Sequence, residues 1–251
     1  MFYWLSNSNK KAFTLAEVLI TLGIIGVVAA LTLPTLMANI KAIENANRLK
    51  KMMSAMNNGV KLSKAKYDID FSNIDAYCNA NSANDNPNER HSACAIMNGI
   101  LSNAKYYYGT DDLIMKDGQP YKISASYVTG LPSMINFSKN PTYVLSDGSI
   151  IMFSSSLGQQ PCTGTDIKSA TRKSNGHGTA CYGLIDVNGV NGPNKEVKCS
   201  KGKNNQYEGG KPETENCVVY NNDVNDVYPF AVFDDRVELT TSAGVYVLTK
   251  K

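Results

Sequence analysis

The spacing of apolar positions changes along this chain. From Phe13 to Leu36 they are almost continuous, and the run holds one charge, Glu17. A helix of that length reaches ~36 Å at ~1.5 Å per residue, enough to cross a hydrocarbon core of ~30 Å. Further on, Ile43, Ala46, Leu49, Met53, Met56 and Val60 recur at steps of three or four, with Lys41, Arg48, Lys51 and Lys66 roughly opposite. Pro34, Gly23 and Gly26 bend or loosen such a helix without ending it. The pattern predicts one long helix from about Phe13 to Lys66, apolar all round in its first half and amphipathic in its second. After Tyr67 the pattern shortens to runs of strand length. Strands are expected at Tyr121–Val128, Thr142–Leu145, Ile150–Phe153, Tyr182–Val187, Phe230–Phe233, Val237–Leu239 and Val245–Leu248. Asp147-Gly148 between the second and third is a hairpin signal, because these residues accept positive backbone angles. Residues 79–88 read as a surface loop, and Lys195–Asn216 as a polar excursion pinned at Cys199 and Cys217.

Charge and cysteines sharpen the picture. The formal charge is +3, and Lys10 and Lys11 ahead of the apolar run supply two of those charges. The remainder is near neutral, so bulk charge gives no argument for nucleic acid as a partner. Basic residues after the run outnumber those before it, which by itself reads as reversed orientation. The six cysteines, Cys78, Cys94, Cys162, Cys181, Cys199 and Cys217, all follow the apolar run, and none forms a Cys-x-x-Cys pair. An even number beyond a membrane span suggests disulfides in an oxidising compartment. Fifteen connectivities are open to six cysteines; the near-neighbour set 78–94, 162–181 and 199–217 is one of them, and free buried thiols are the other reading. Glu17 is the anomaly. A carboxylate within a span costs up to a few kcal/mol, and no basic residue of the run pairs with it. It either sits near the interface or is met by a partner from outside the span.

The segment Lys10-Lys11-Ala12-Phe13-Thr14-Leu15-Ala16-Glu17-Val18-Leu19-Ile20 resembles the class III signal of type IV prepilins and type II secretion pseudopilins. The resemblance implies cleavage by a prepilin peptidase between Ala12 and Phe13, N-methylation of Phe13, and a role for Glu17 in assembly, paired with the terminal amine of a neighbouring subunit. That amine is the partner the span lacks. The family usually has Gly before the cut, whereas this chain has Ala12, the next smallest residue; slower cleavage is the expected consequence. The motif spans only the first part of the chain, and it outweighs the charge bias. The fold class that follows is α+β: a long N-terminal transmembrane helix packed on an antiparallel β-sheet, the lollipop arrangement of pilins. Its parts are a cytoplasmic leader at 1–12, removed on processing, a transmembrane half-helix at 13–36, an amphipathic half-helix at 37–66, and an extracytoplasmic β-rich domain with disulfide-tied loops at 67–251.

Within that domain, Asp186-Val187-Asn188-Gly189 and Gly192-Pro193-Asn194 resemble an element of pseudopilin-like bacterial proteins in which a later Asp and aromatic follow; Asp226 and Phe230 are the matching residues, after an insertion. Some secretion pseudopilins bind calcium in this region. Asp186, Asn188, Asp223, Asn225 and Asp226 offer oxygen ligands, although Val190 breaks EF-hand spacing; Asx turns that close loops are the simpler reading. The sequence implies no cofactor, and calcium is the one candidate.

No phosphate-binding loop, Gly-x-Ser-x-Gly elbow or paired zinc motif occurs. His91 near Cys94 and His177 near Cys181 read as loop histidines, and no catalytic constellation emerges. The expected function is structural: a pseudopilin or minor pilin of a type II secretion-like pseudopilus or type IV pilus. The alternatives are a tip-located binding module and a single-pass anchor that never assembles. The implied partners are other pilin subunits, the prepilin peptidase, and the inner-membrane assembly platform with its ATPase. The expected location is the inner membrane, N-terminus cytoplasmic, with the C-terminal domain periplasmic or extracellular.

Overall fold

Thr14 starts the first helix. Its hydroxyl accepts from the Glu17 amide at 3.2 Å, while the Glu17 carboxylate accepts from the Thr14 amide and hydroxyl, each at 2.8 Å. This reciprocal capping box satisfies donors that a helix N-terminus leaves open. The structure, a computed structural model, describes residues 13–78, 81–101, 103–123, 128–131, 140–154, 162, 181–204 and 217–250. Helix α1 runs Leu15–Tyr67 with Pro34 inside it, close to the expected bounds. Two compact units divide the chain, Met1–Ile40 and Lys41–Lys251.

In the first unit, every large apolar side chain from Phe13 to Ile40 among the described residues is exposed. The second unit buries one face of α1: Ala42, Asn45, Leu49, Met52, Met53, Met56, Gly59, Val60 and Ser63. The expected stripe is shifted at its start. Ile43 is exposed, because the buried line begins at Ala42 and Asn45. Asn45 is buried for a reason sequence spacing cannot reveal: its amide donates to the carbonyls of Asn225, at 3.2 Å, and Val224. Three turns on, Asn57 pairs with both backbone groups of Val237, accepting from its amide at 2.9 Å and donating to its carbonyl at 3.0 Å.

Six strands form one antiparallel sheet in the order β1-β2-β3-β4-β7-β8: β1 Lys105–Tyr108, β2 Pro141–Val144, β3 Ile150–Phe153, β4 Cys181–Asp186, β7 Val227–Val232 and β8 Val237–Leu239. A ribbon of β5 Lys201–Gly202 and β6 Cys217–Val218 stands apart. Alternation along the strands sends side chains to two cores. Tyr143, Ile151, Phe153, Ile185, Phe230 and Val232 pack with α1 and with α2, Ala93–Ile100. Ile150, Met152, Tyr182, Leu184, Ala231 and Phe233 pack with Leu113, Tyr121, Val128 and Leu131 on the other face. Both faces of the sheet are therefore covered. Gly183 on β4 is required, since a Cβ there would overlap the Phe230 ring and the Met152 carbonyl.

The strands expected at 142–145, 150–153, 182–187, 230–233 and 237–239 are present within a residue or a few of their predicted bounds. Two expectations are corrected. Val245–Leu248 lies in α3, Ser242–Thr249, because the Thr241 hydroxyl accepts from the Gly244 amide at 3.2 Å and starts a helix. Of the strand expected at Tyr121–Val128, residues 124–127 lie outside the described set, and the others are not in a strand. Helix α2 and strand β1 went unpredicted; α2 is capped by Ser92, whose hydroxyl accepts from the Ala95 amide.

Candidate functional site

Two groups of residues carry the chemistry: the start of α1 and the loop after β4. At the first, Phe13 is 85 % exposed and Glu17 stands in the first helical turn of an otherwise apolar segment. Among the described residues one oxygen of Glu17, Oε2, is engaged, by Thr14. Sequence reading named Glu17 but not its cap, although Thr14-x-x-Glu17 is the sequence signature of a capping box. Ala12 lies outside the described residues. Helix α1 is the one described helix long and apolar enough to cross a membrane.

The loop after β4 gathers the matched Asp-x-Asn-Gly and Gly-Pro-Asn residues around two buried carboxylates. Asp186 Oδ1 accepts from the amides of Gly189 at 2.7 Å and Asn188 at 3.1 Å, and Oδ2 accepts from the Tyr121 hydroxyl at 2.7 Å. Asp226 Oδ2 accepts from the Asn188 side-chain amide at 2.9 Å and the Asn194 amide at 3.0 Å, and Oδ1 from the Lys195 amide at 2.7 Å. Gly189 has φ 59°, and a Cβ there would meet the Gly148 carbonyl, so only glycine fits. The Gly192–Pro193 bond is cis. The insertion before Asp226 is an excursion: the chain leaves at Lys195–Val197 and returns at Asp226–Val227, where the Lys195 carbonyl accepts from the Val227 amide at 3.0 Å. Phe230 sits in β7, four residues beyond Asp226.

Burial pushes the Asp186 carboxyl up to about 7, helped by the Asp226 charge and opposed by the Tyr121, Gly189 and Asn188 donors. Burial also raises Asp226, against the pull of the Lys195 and Asn194 amides. Tyr121 is raised well above its ordinary value by burial and by Asp186.

Of the five residues offered for calcium, Asp186, Asn188 and Asp226 share the hydrogen bonds just described. The carboxylate oxygens of Asp186 and Asp226 are met by hydrogen-bond donors, which a cation would have to displace. Asp223 and Asn225 instead line an open cavity of about 420 Å³ with Lys195, Glu196, Lys198, Cys199 and Ser200. Among the described residues no group of three or more His, Cys, Asp or Glu is placed to hold a metal. Asp186 Oδ1, accepting from the Asn188 amide, closes an Asx turn.

All six cysteines are paired: Cys78–Cys94, Cys162–Cys181 and Cys199–Cys217, with Cα separations of 5.6, 5.6 and 5.3 Å. This is the near-neighbour set. Cys199–Cys217 closes the excursion beside the cavity. His91 is exposed, and His177 lies outside the described residues. The basic face of α1 is partly spent: Arg48 donates to the Val187 carbonyl at 3.1 Å, and Lys51 bonds Asp147 at 2.8 Å in the turn between β2 and β3.

Residues 7–33 match the prokaryotic N-terminal methylation motif. No curated protein and no solved structure matches the chain. The chain thus carries a prepilin-type cleavage and methylation segment, which supports a type IV pilin-like or pseudopilin subunit in general terms.

Proposed function

We propose that this pilin-like chain is cut between Ala12 and Phe13 by a prepilin peptidase, methylated at Phe13, and built into a pseudopilus or pilus as a structural, non-enzymatic subunit. The observation that carries the reading is the coincidence of the methylation motif with an exposed apolar half-helix that keeps one carboxylate, Glu17, in its first turn. The capping box uses Oε2 and leaves Oε1 for the terminal amine of a neighbouring subunit. In a span of low polarity such a pair is worth far more than in water. Residues 13–36 cross the inner membrane, the leader stays cytoplasmic, and the unit from Lys41 onward lies outside. An assembly platform and its ATPase supply the force. The Asp-x-Asn-Gly and Gly-Pro-Asn element favours a secretion-type pseudopilus over a pilus.

A second reading, a tip-located binding module, draws on the open cavity beside the Cys199–Cys217 ribbon. Both readings separate from a non-assembling anchor by the same experiment. The mass and N-terminal sequence of protein from its native membrane should show a chain starting at Phe13 with one added methyl. Glu17→Ala should then leave the protein in the membrane and remove it from sheared filaments. A native chain starting at Met1, or a Glu17→Ala variant that still enters filaments, overturns the proposal.

A further inference from the structure

In an Asn-Gly pair the glycine amide readily attacks the preceding side chain, because glycine puts no Cβ in the way. The chain holds five such pairs, beginning at Asn58, Asn98, Asn175, Asn188 and Asn191. Asn175–Gly176 lies outside the described residues. In the other four the surroundings of the glycine amide decide the matter, since its nitrogen must shed a proton and swing onto the asparagine Cγ.

Three of these four are closed. Gly59 and Gly99 lie inside α1 and α2, where each amide donates along its own helix. The Asn98 side chain is clamped as well: Nδ2 donates to the Ser82 carbonyl at 2.7 Å and the Asp85 carbonyl at 3.1 Å, and Oδ1 accepts from the Tyr143 hydroxyl at 3.0 Å. Gly189 is buried, and its amide donates to Asp186 Oδ1 at 2.7 Å. Asn191–Gly192 differs. Asn191 is exposed and Gly192 half-buried. Asn191 ends the single helical turn Gly189–Asn191, and the Gly192 amide that follows has no acceptor among the described residues. The Asn191 side chain keeps one bond there, from Nδ2 to the Asn188 carbonyl at 2.6 Å. Gly192 has φ 64°, a conformation that disfavours any residue with a Cβ, so the fold itself keeps the reactive pair in place.

We propose that Asn191–Gly192 is a site of spontaneous covalent modification, where the folded chain converts its own asparagine to aspartate and isoaspartate without an enzyme. The Gly192 amide gives its proton to solvent, and its nitrogen bonds Asn191 Cγ. The Cγ–Nδ2 bond breaks, ammonia leaves, and a succinimide ring remains. Water then opens the ring. Breaking the new Cγ–N bond yields aspartate. Breaking the original peptide bond yields isoaspartate, whose main chain runs through Cβ and Cγ and is one atom longer.

The loop feels both changes. With Nδ2 gone, the Asn188 carbonyl loses a donor and faces a carboxylate in its place. In the isoaspartyl form the extra atom sits just ahead of Gly192, whose carbonyl accepts from Asn188 Nδ2 at 2.7 Å. The same nitrogen donates to Asp226 Oδ2 at 2.9 Å, beside the point where the excursion returns to Lys195. Modification at Asn191 therefore slackens the tie at the base of the excursion.

The test ages the full chain in detergent micelles, in mildly alkaline buffer at body temperature, and maps its peptides by mass spectrometry with electron-transfer fragmentation. The peptide holding Asn191 should lose ammonia and then gain water, with isoaspartate exceeding aspartate, while Asn58, Asn98 and Asn188 stay amides over the same interval. In denaturant all four should convert at similar rates, which assigns the selection to the fold. Asn191→Gln keeps the side-chain amide but lengthens the ring that must close, and should abolish conversion at this position. Hydrogen exchange across 186–195 should be faster in the aged wild type than in aged Asn191→Gln. An Asn191 that stays intact in the folded chain, or that converts no faster than the other three, overturns the proposal. Equal exchange in the two aged chains overturns its effect on the loop.

Discussion

The two halves of α1 use similar residues to opposite ends. Between Leu15 and Ile40 the large apolar side chains all lie exposed, Leu31 at 74 %. Between Lys41 and Tyr67 the helix buries one face, Leu49 at 0 % and Met52 at 1 %. A helix apolar on every side needs surroundings that are not water, and a helix apolar on one side needs a protein face. Polar residues follow the same division. In the second half, Asn45 and Asn57 lie on or beside the buried face and bond backbone groups of the β-rich unit. In the first half Thr21 and Thr32 turn their hydroxyls back to carbonyls of their own helix, which is what a segment without water or a protein neighbour requires.

One substitution made twice separates the halves most sharply. Leu49→Ala removes a fully buried side chain and should cost about 2–5 kcal/mol of unfolding free energy. Leu31→Ala removes an exposed one and should change the stability of the second unit by less than about 0.5 kcal/mol. Denaturant unfolding of the full chain in micelles, followed by tyrosine fluorescence, reads both. Equal losses would mean that the first half also has a protein partner within the chain.

The contrast between the halves was readable from spacing alone, because a change from continuous to periodic apolar residues reports the change of surroundings directly. The hairpin around Asp147-Gly148 and the strands β3 and β8 were legible for a similar reason, short β-branched or aromatic runs bounded by turn residues. Val245–Leu248 misled because a four-residue apolar run has no period of its own, and the deciding signal was the cap at Thr241. Helix α2 begins in the same way at Ser92 and carries Cys94 of the Cys78–Cys94 bridge, and at 8 residues it is too short for its period to stand out in the sequence. Of the site, Phe13 and Glu17 were named from the motif, and Asp186, Asn188 and Asp226 from a short element. Tyr121 joins them from 65 positions away. Such a partner belongs to tertiary structure, and no local pattern points to it.

Glycines sharpen the comparison at a smaller scale. A Cβ at Gly59 would run into the Ile100 side chain of α2, whereas nothing lies within 4 Å of a Cβ at Gly23. Gly59→Ala should therefore cost about 1–3 kcal/mol by overpacking. Gly23→Ala should leave the second unit unchanged and favour the helix by about 0.5–1 kcal/mol. Thermal unfolding and helix content by circular dichroism check the pair, and a destabilising Gly23→Ala would show a close contact in the apolar half.

The smallest expected effect concerns charge, which the second half uses to hold the sheet. Lys51 bonds Asp147 at 2.8 Å in the turn between β2 and β3. Partial burial pushes the Asp147 carboxyl up, but the Lys51 ammonium and the Ser149 hydroxyl and amide outweigh it and hold the group down at about 2. Its folded value thus lies below the ordinary 3.8. The stability it contributes is present above 3.8 and is lost as pH falls through about 2. Because the Lys51 side chain is 66 % exposed, solvent screening leaves only about 1 kcal/mol at neutral pH. Asp147→Asn keeps the turn geometry and removes the charge, so its midpoint should fall slightly below wild type at about pH 7 and converge with it near pH 2. High salt should narrow the gap at neutral pH as well. A gap that survives both acid and salt would show that Asp147 holds the turn through its bonds to Ser149 alone, and that α1 keeps its place on the sheet by packing and by Asn45, Arg48 and Asn57.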